Sequence, residues 1–233
     1  MDKKELAKSN KQKKTLEILQ EVMDADQLML KETSEELNQD AFLLAVDTIC
    51  QARDIYIIGV RNSAPLAQFL AFYLNPVFRR VRLIHPTSAS EIYEQMLHVG
   101  AGDAVIGISF PRYSMRVLKA LEFANSRNAK VITITDTVHS PVNLYSSCNL
   151  LAKSHMCSIV DSLTPAFSLV NALIVAICMR KKKRTIQNLE ELDRIWDDYP
   201  VNNHDEINRL APEVRLEKLE IEKPKYENDL ESE

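Results

Sequence analysis

Asp54-Ile-Tyr-Ile-Ile-Gly-Val-Arg-Asn-Ser63 runs directly into Ala64-Pro-Leu-Ala-Gln-Phe-Leu-Ala-Phe-Tyr73. Ile55 to Ile58 is a short unbroken apolar run of β-formers, which reads as a buried strand, and the residues from about 63 to 76 read as a helix. Between them lies a loop carrying Arg61, Asn62 and Ser63. A second segment repeats the plan: Asp103-Ala-Val-Ile-Gly-Ile-Ser-Phe-Pro-Arg-Tyr-Ser114 leads into Met115-Arg-Val-Leu-Lys-Ala-Leu121. A helix that starts at the carboxyl end of a parallel strand offers unpaired N–H groups and partial positive charge. A phosphorylated small molecule is the guest that such a pair of loops suits.

Outward from these two units the alternation continues. Strands are expected at Val81 to Ile84, Val131 to Thr135 and, more weakly, Asn149 to Leu151. Helices are expected at about 88 to 98, 114 to 126, 141 to 146 and 160 to 180. Leu16, Leu19, Val22 and Met23 mark an amphipathic helix within residues 12 to 36, and Phe42, Leu43, Val46 and Ile49 mark another at 39 to 52. A last helix passes through Leu189, Leu192, Ile195 and Trp196. Crossovers of this length place helices on both faces of a parallel sheet, and ligands of such sheets sit outside the strands' carboxyl ends.

The 233 residues fit one α/β domain with helical additions, divided as an N-terminal helical segment (1–38), the main domain (39–182), a C-terminal helix (183–200) and an acidic tail (201–233). Net charge is -4, which is not the electropositive body of a free-standing nucleic-acid binder. Charge is uneven, with six Lys in residues 1 to 14 and ten acids against five bases in residues 203 to 233. The run Arg180-Lys-Lys-Lys-Arg184 reads as a solvated face. Ala166 to Met179 is the longest apolar stretch, but it contains Asn171 and spans 14 residues, short of the ~20 a membrane crossing needs. Four cysteines without a C-x-x-C pair, and a start without a signal peptide, indicate a cytoplasmic protein with no membrane association.

Several residue types gather at the predicted strand ends. Asn62 and Ser63 stand where a helix N-cap belongs, with Arg61 before them and Pro65 in the first helical turn. Ser109, Arg112, Tyr113 and Ser114 bring two hydroxyls, a guanidinium and a phenol together around Pro111. Thr135-Asp-Thr-Val-His-Ser140-Pro141 adds Asp136 and Ser140 at the end of another strand. The candidate ligand set is therefore Arg61, Asn62, Ser63, Ser109, Arg112, Tyr113, Ser114 and Ser140, with Arg112 as counter-charge to the anion. Cys148, His155 and Cys157 lack a fourth ligand and the spacing of a zinc site, so no metal is expected. Neither a G-x-x-x-x-G-K-[ST] loop nor a G-x-G-x-x-G fingerprint is present, so no nucleotide cofactor is expected either.

The stretches Ile57-Ile-Gly-Val-Arg-Asn-Ser-Ala-Pro-Leu-Ala67, Gly107-Ile-Ser-Phe-Pro-Arg-Tyr-Ser114, Ile134-Thr-Asp136 with His139-Ser-Pro141, and Asp161-Ser-Leu163 resemble the SIS (sugar isomerase) domain of RpiR/MurR-type bacterial transcriptional regulators. The resemblance covers roughly residues 15 to 200. It implies a three-layer αβα sandwich around a five-stranded parallel sheet that binds a phosphosugar effector. It also maps the first-loop ligand serine onto Ser63 and the second-loop hydroxyls onto Ser109 and Ser114. In that second loop the family's usual Ser-Gly pair is replaced by Pro111-Arg112.

The resemblance further implies a homodimer or higher homo-oligomer whose geometry responds to the effector. DNA would be contacted only through a helix-turn-helix domain, which residues 1 to 14 are too short to hold: either the protein is a sensor domain without its own DNA reader, with a relative supplying one, or the sequence is a shortened gene product. Two other readings stay open. A phosphosugar isomerase would need a general base, for which Glu91, His139 and His155 are the candidates. An interaction scaffold would need no ligand.

Overall fold

The computed structural model describes residues 3–85, 88–157 and 160–198. Strands β1 (Ile55–Gly59), β2 (Val81–Ile84), β3 (Ala104–Ile108), β4 (Lys130–Thr135) and β5 (Cys148–Leu151) form one sheet in the order β2-β1-β3-β4-β5. All four neighbouring pairs are parallel. Every residue of β1 and β3 is buried, which is why these strands read as continuous apolar runs rather than alternating ones.

Successive side chains go to opposite layers. Ile55, Ile57, Ile106, Ile108, Ile132 and Ile134 pack with α2 (Gln39–Gln51), α3 (Ala64–Leu74) and α6 (Thr164–Arg180). Tyr56, Ile58, Val105 and Val131 pack with α4 (Ala89–Gln95), α5 (Met115–Ser126) and a 3-10 turn at Pro141–Tyr145. Burying each isoleucine is worth about 2 kcal/mol, so a one-residue slip of any strand would be heavily penalised. The result is a three-layer αβα sandwich, as the sequence leads one to expect.

From β1 the chain moves outward to β2 through α3 on one face, then returns past β1 to β3 through α4 on the other. The direction of winding reverses between β1 and β3, and their carboxyl ends open the crevice where doubly wound sheets bind ligands. Both hydroxyl-bearing loops leave from those two strand ends. At the opposite end of β3, buried Asp103 accepts from Arg53 Nε at 3.0 Å, Arg53 Nη2 at 2.9 Å and the Gly100 N–H at 2.9 Å. This carboxylate ties together the chain segments that enter β1 and β3.

Flanking helices complete the chain. α1 (Lys3–Glu36) packs against α6, and its Thr33 hydroxyl accepts from the Lys153 N–H at 2.9 Å. α7 (Lys182–Asp198) is attached through Asn188, which donates to the Pro76 carbonyl at 2.7 Å. Among the described residues no single helix is long and apolar enough to cross a membrane.

The elements depart from the sequence reading in four places. α1 begins at Lys3 rather than residue 12, and its Leu16, Leu19 and Met23 are exposed, so that stripe does not enter this chain's core. The segment expected as a helix at 141 to 146 is only a 3-10 turn. The helix expected from residue 160 begins at Thr164, with Pro165 in its first turn. Before it, β6 (Met156–Cys157) and β7 (Val160–Asp161) form a small antiparallel hairpin. The acidic tail lies outside the described residues.

Candidate anion-binding site

The first loop is a 3-10 turn, Arg61–Ser63, pressed against the end of β1. Gly59 permits this, because a Cβ there would lie 2.6 Å from the Ser63 carbonyl oxygen and 3.0 Å from the Ala67 Cβ. Ser63 occupies the N-cap position of α3, yet its side chain makes no capping bond. Its hydroxyl, on a residue only 1% exposed, is therefore not spent on the helix. Asn62 does not cap either; its Nδ2 donates to Asp161 Oδ2 at 3.2 Å.

The second loop is held by its own hydroxyls. Ser109 stays buried, and its Oγ accepts from the Ser114 N–H at 3.3 Å, closing the loop. Ser114 caps α5 by accepting from the Arg116 N–H at 3.2 Å. Each hydroxyl accepts a bond here and keeps its own proton to donate to an anion. Phe110, 2% exposed, anchors the loop in the layer of α6. The two loops face one another across a cleft of about 110 Å3 lined by Arg61, Asn62, Pro111 and Arg112.

Both arginines of this cleft have left-handed backbones, with φ of 58° at Arg61 and 66° at Arg112. A left-handed conformation costs a non-glycine residue about 1 kcal/mol, and such strain concentrates where a loop's shape serves a ligand. The Arg112 backbone has the conformation glycine prefers. Arg112→Gly should therefore melt higher than Arg112→Ala by an amount equivalent to about 1 kcal/mol, since both lose the guanidinium and only alanine keeps the strain. Equal melting temperatures would show that the loop relaxes when the arginine is removed.

A third loop joins the second. Tyr113 donates its hydroxyl to Asp136 Oδ1 at 2.8 Å, and Asp136 also accepts from Thr135 Oγ1 at 3.2 Å. Thr135 Oγ1 lies 2.9 Å from Ser140 Oγ, with both residues buried. Burial, and after it the bond to Asp136, pushes the Tyr113 phenol up to about 12, so it remains a neutral donor at any physiological pH. Asp136 also borders a second cleft of about 150 Å3, lined by Thr33, Glu36, Thr137, Val138, Leu151 and Lys153.

The structure brings Arg61, Asn62 and Arg112 to one cleft, ties Ser109 to Ser114 within the second loop, and joins Tyr113 to Ser140 through Asp136 and Thr135, while Ser63 lies buried behind the first loop. Sequence reasoning missed Asp161: Arg112 Nη2 pairs with its Oδ2, the same oxygen that accepts from Asn62. Arg112 is therefore not an unpaired counter-charge, because it already holds a carboxylate. The isomerase candidates gather less well. Glu91 sits in the first turn of α4, where Ser88 accepts from its N–H at 3.4 Å, and His139 and His155 are exposed. Cys148 is buried, 2.9 Å from the Ala41 carbonyl it donates to, and burial pushes its thiol up to about 11. The side chain of Cys157 lies outside the described residues.

Residues 48–176 match the family model described as the SIS domain. The chain belongs to the SIS domain family. It is similar to the sugar isomerase domain of the RpiR transcription factor from Sphaerobacter thermophilus, with 26% identity and a TM-score of 0.71 over 75% of this chain and 97% of that one. The NanR protein of Vibrio vulnificus, solved with ManNAc-6P, shares the fold at a TM-score of 0.65 and 19% identity, covering 78% of this chain and 70% of that one. An uncharacterized HTH-type transcriptional regulator of Caldanaerobacter subterraneus subsp. tengcongensis is 21% identical over 197 residues, 80% of this chain and 67% of the relative. The two strand-loop-helix units of this SIS domain, and the crevice between them, all fall inside the matched residues.

Proposed function

We propose that this SIS domain is the phosphosugar-sensing part of an RpiR-type transcriptional regulator, a cytoplasmic homo-oligomer whose geometry changes when its effector binds. The observation that carries this reading is the cleft between β1 and β3. Arg61, Asn62 and Arg112 line it beside the starts of α3 and α5, and the Ser63 hydroxyl, which caps no helix, and the Ser109 and Ser114 hydroxyls belong to the same two loops. The phosphate sits on these groups, and the sugar body extends toward Asp136 and the neighbouring cleft. Regulation of sugar-metabolism genes follows through a helix-turn-helix domain attached to it or supplied by a relative. The ManNAc-6P complex of the NanR protein, which has the same fold, supports a phosphosugar as the ligand class.

A thermal-shift screen against phosphosugars, N-acetylated ones included, tests the reading, with the unphosphorylated sugars as controls. A ligand that prefers the folded state raises the melting temperature. The expected result is a phosphate-dependent shift that falls at least tenfold in ligand potency in Ser63→Ala and Ser109→Ala. A shift of the same size with unphosphorylated sugars, or one indifferent to both substitutions, would place the ligand elsewhere.

A further inference from the structure

Arg112 and Asn62, one from each loop of the crevice, both bind the same oxygen of Asp161. Asp161 reaches them from β7, and its side chain is only 7% exposed, whereas that of Arg112 is 60% exposed. One and three residues farther along the chain, the same segment is fixed to α1. Asp26 of α1 accepts from Ser162 Oγ through Oδ1 at 2.5 Å and from Thr164 Oγ1 through Oδ2 at 2.8 Å. The four residues Asp161 to Thr164 therefore link the crevice on one side to the long N-terminal helix on the other. Asp161 holds an anionic oxygen against the guanidinium and amide that border the cleft.

We propose that Asp161 is an internal competitor of the ligand's phosphate, and that displacing it loosens the Ser162 and Thr164 bonds to Asp26, so that binding in the crevice is transmitted to α1. This rests on the reading of the crevice as a phosphate seat. A phosphate dianion and a carboxylate compete for the same planar guanidinium, and both cannot sit on Arg112 at close range without strong repulsion. When phosphate takes Arg112, Asp161 loses that guanidinium and Asn62 with it. The short connection to α6 then loses its anchor at the crevice. Because coupling is reciprocal, weakening the α1 end must in turn favour phosphate. Specificity follows from the same contact: a ligand has to carry enough negative charge to outcompete a preplaced carboxylate, which sets phosphorylated sugars apart from neutral ones.

Inorganic phosphate is the probe, titrated calorimetrically into the full chain, with amide hydrogen exchange of α1 around Asp26 as the second readout. Asp161→Asn should bind phosphate about five- to tenfold more tightly than the native chain, because the competing charge is gone while the shape is kept. Phosphate should raise exchange around Asp26 in the native chain. It should add little in Asp161→Asn, where exchange is already raised. Asp26→Asn, remote from the crevice, should tighten phosphate binding about two- to threefold, which a merely structural role would not do. Equal phosphate affinity in the native chain and both variants would overturn the competitor while leaving the phosphate seat standing. No phosphate binding in any of the three would overturn the seat and the competitor together.

Discussion

Gly59→Ala is expected to lower the melting temperature by roughly 5 to 10 °C and to abolish phosphosugar binding, although the substitution adds a single methyl group. That methyl would meet the Ser63 carbonyl oxygen at 2.6 Å, a backbone atom of the 3-10 turn that cannot rotate aside. Relief requires the whole Arg61–Ser63 turn to lift from β1, and overpacking of this kind costs about 1–3 kcal/mol. The lifted turn carries Ser63 and the start of α3 away from the second loop, so the binding loss exceeds the stability loss. Gly107→Ala is the matched control. Its methyl would meet the Leu121 Cδ atoms at 2.7 Å, a core side chain of α5 rather than the backbone of the first loop, so a drop in stability with binding retained is expected. Differential scanning calorimetry with and without ligand separates the two effects.

The second large effect lies at the opposite end of the sheet. Asp103→Ala removes a carboxylate whose side chain is fully buried and which satisfies three donors. Arg53 is 57% exposed and regains water, so its share of the loss is small. The remaining cost is the Gly100 N–H left without its acceptor and the loosened entry to β1 and β3, together about 2 kcal/mol. Urea unfolding should show this as a lower midpoint with an unchanged slope. Ligand affinity should stay within about twofold of the native value, because Asp103 and the crevice lie at opposite ends of a five-residue strand, some ~17 Å apart. A large loss of affinity in Asp103→Ala would mean that the sheet's two ends are coupled.

The contrast between these two positions shows what the sequence makes legible. Ile55 to Ile58 and Ala104 to Ile108 announce fully buried parallel strands, since nothing polar interrupts them and each ends in a loop that starts a helix. The same feature marks Ser63 and Ser114 as residues at helix starts, because local spacing places each beside one. What escaped was set by distance along the chain. Asp161 meets Arg112 across 49 residues, and Asp26 meets Thr164 across 138, separations over which no periodicity or spacing carries a signal. Asp161 was further concealed because Val160 and Asp161 read as the start of the apolar helix that follows. The antiparallel pairing of Val160 with Cys157, not local propensity, makes them extended. Likewise, Arg112 reads as a free cation from the sequence, and only the fold reveals that a carboxylate is already seated on it.

A phosphorylated sugar held between the two loops at the β1–β3 crevice would be seen most directly in a crystal structure of the chain with the phosphosugar that gives the largest thermal shift. The expected density places the phosphate within hydrogen-bond reach of Ser63, Ser109 and Ser114, with Arg112 turned from Asp161 toward it. A phosphate found instead in the cleft beside Glu36 and Lys153, with the Arg112–Asp161 pair intact, would rule out the β1–β3 crevice as the phosphate seat.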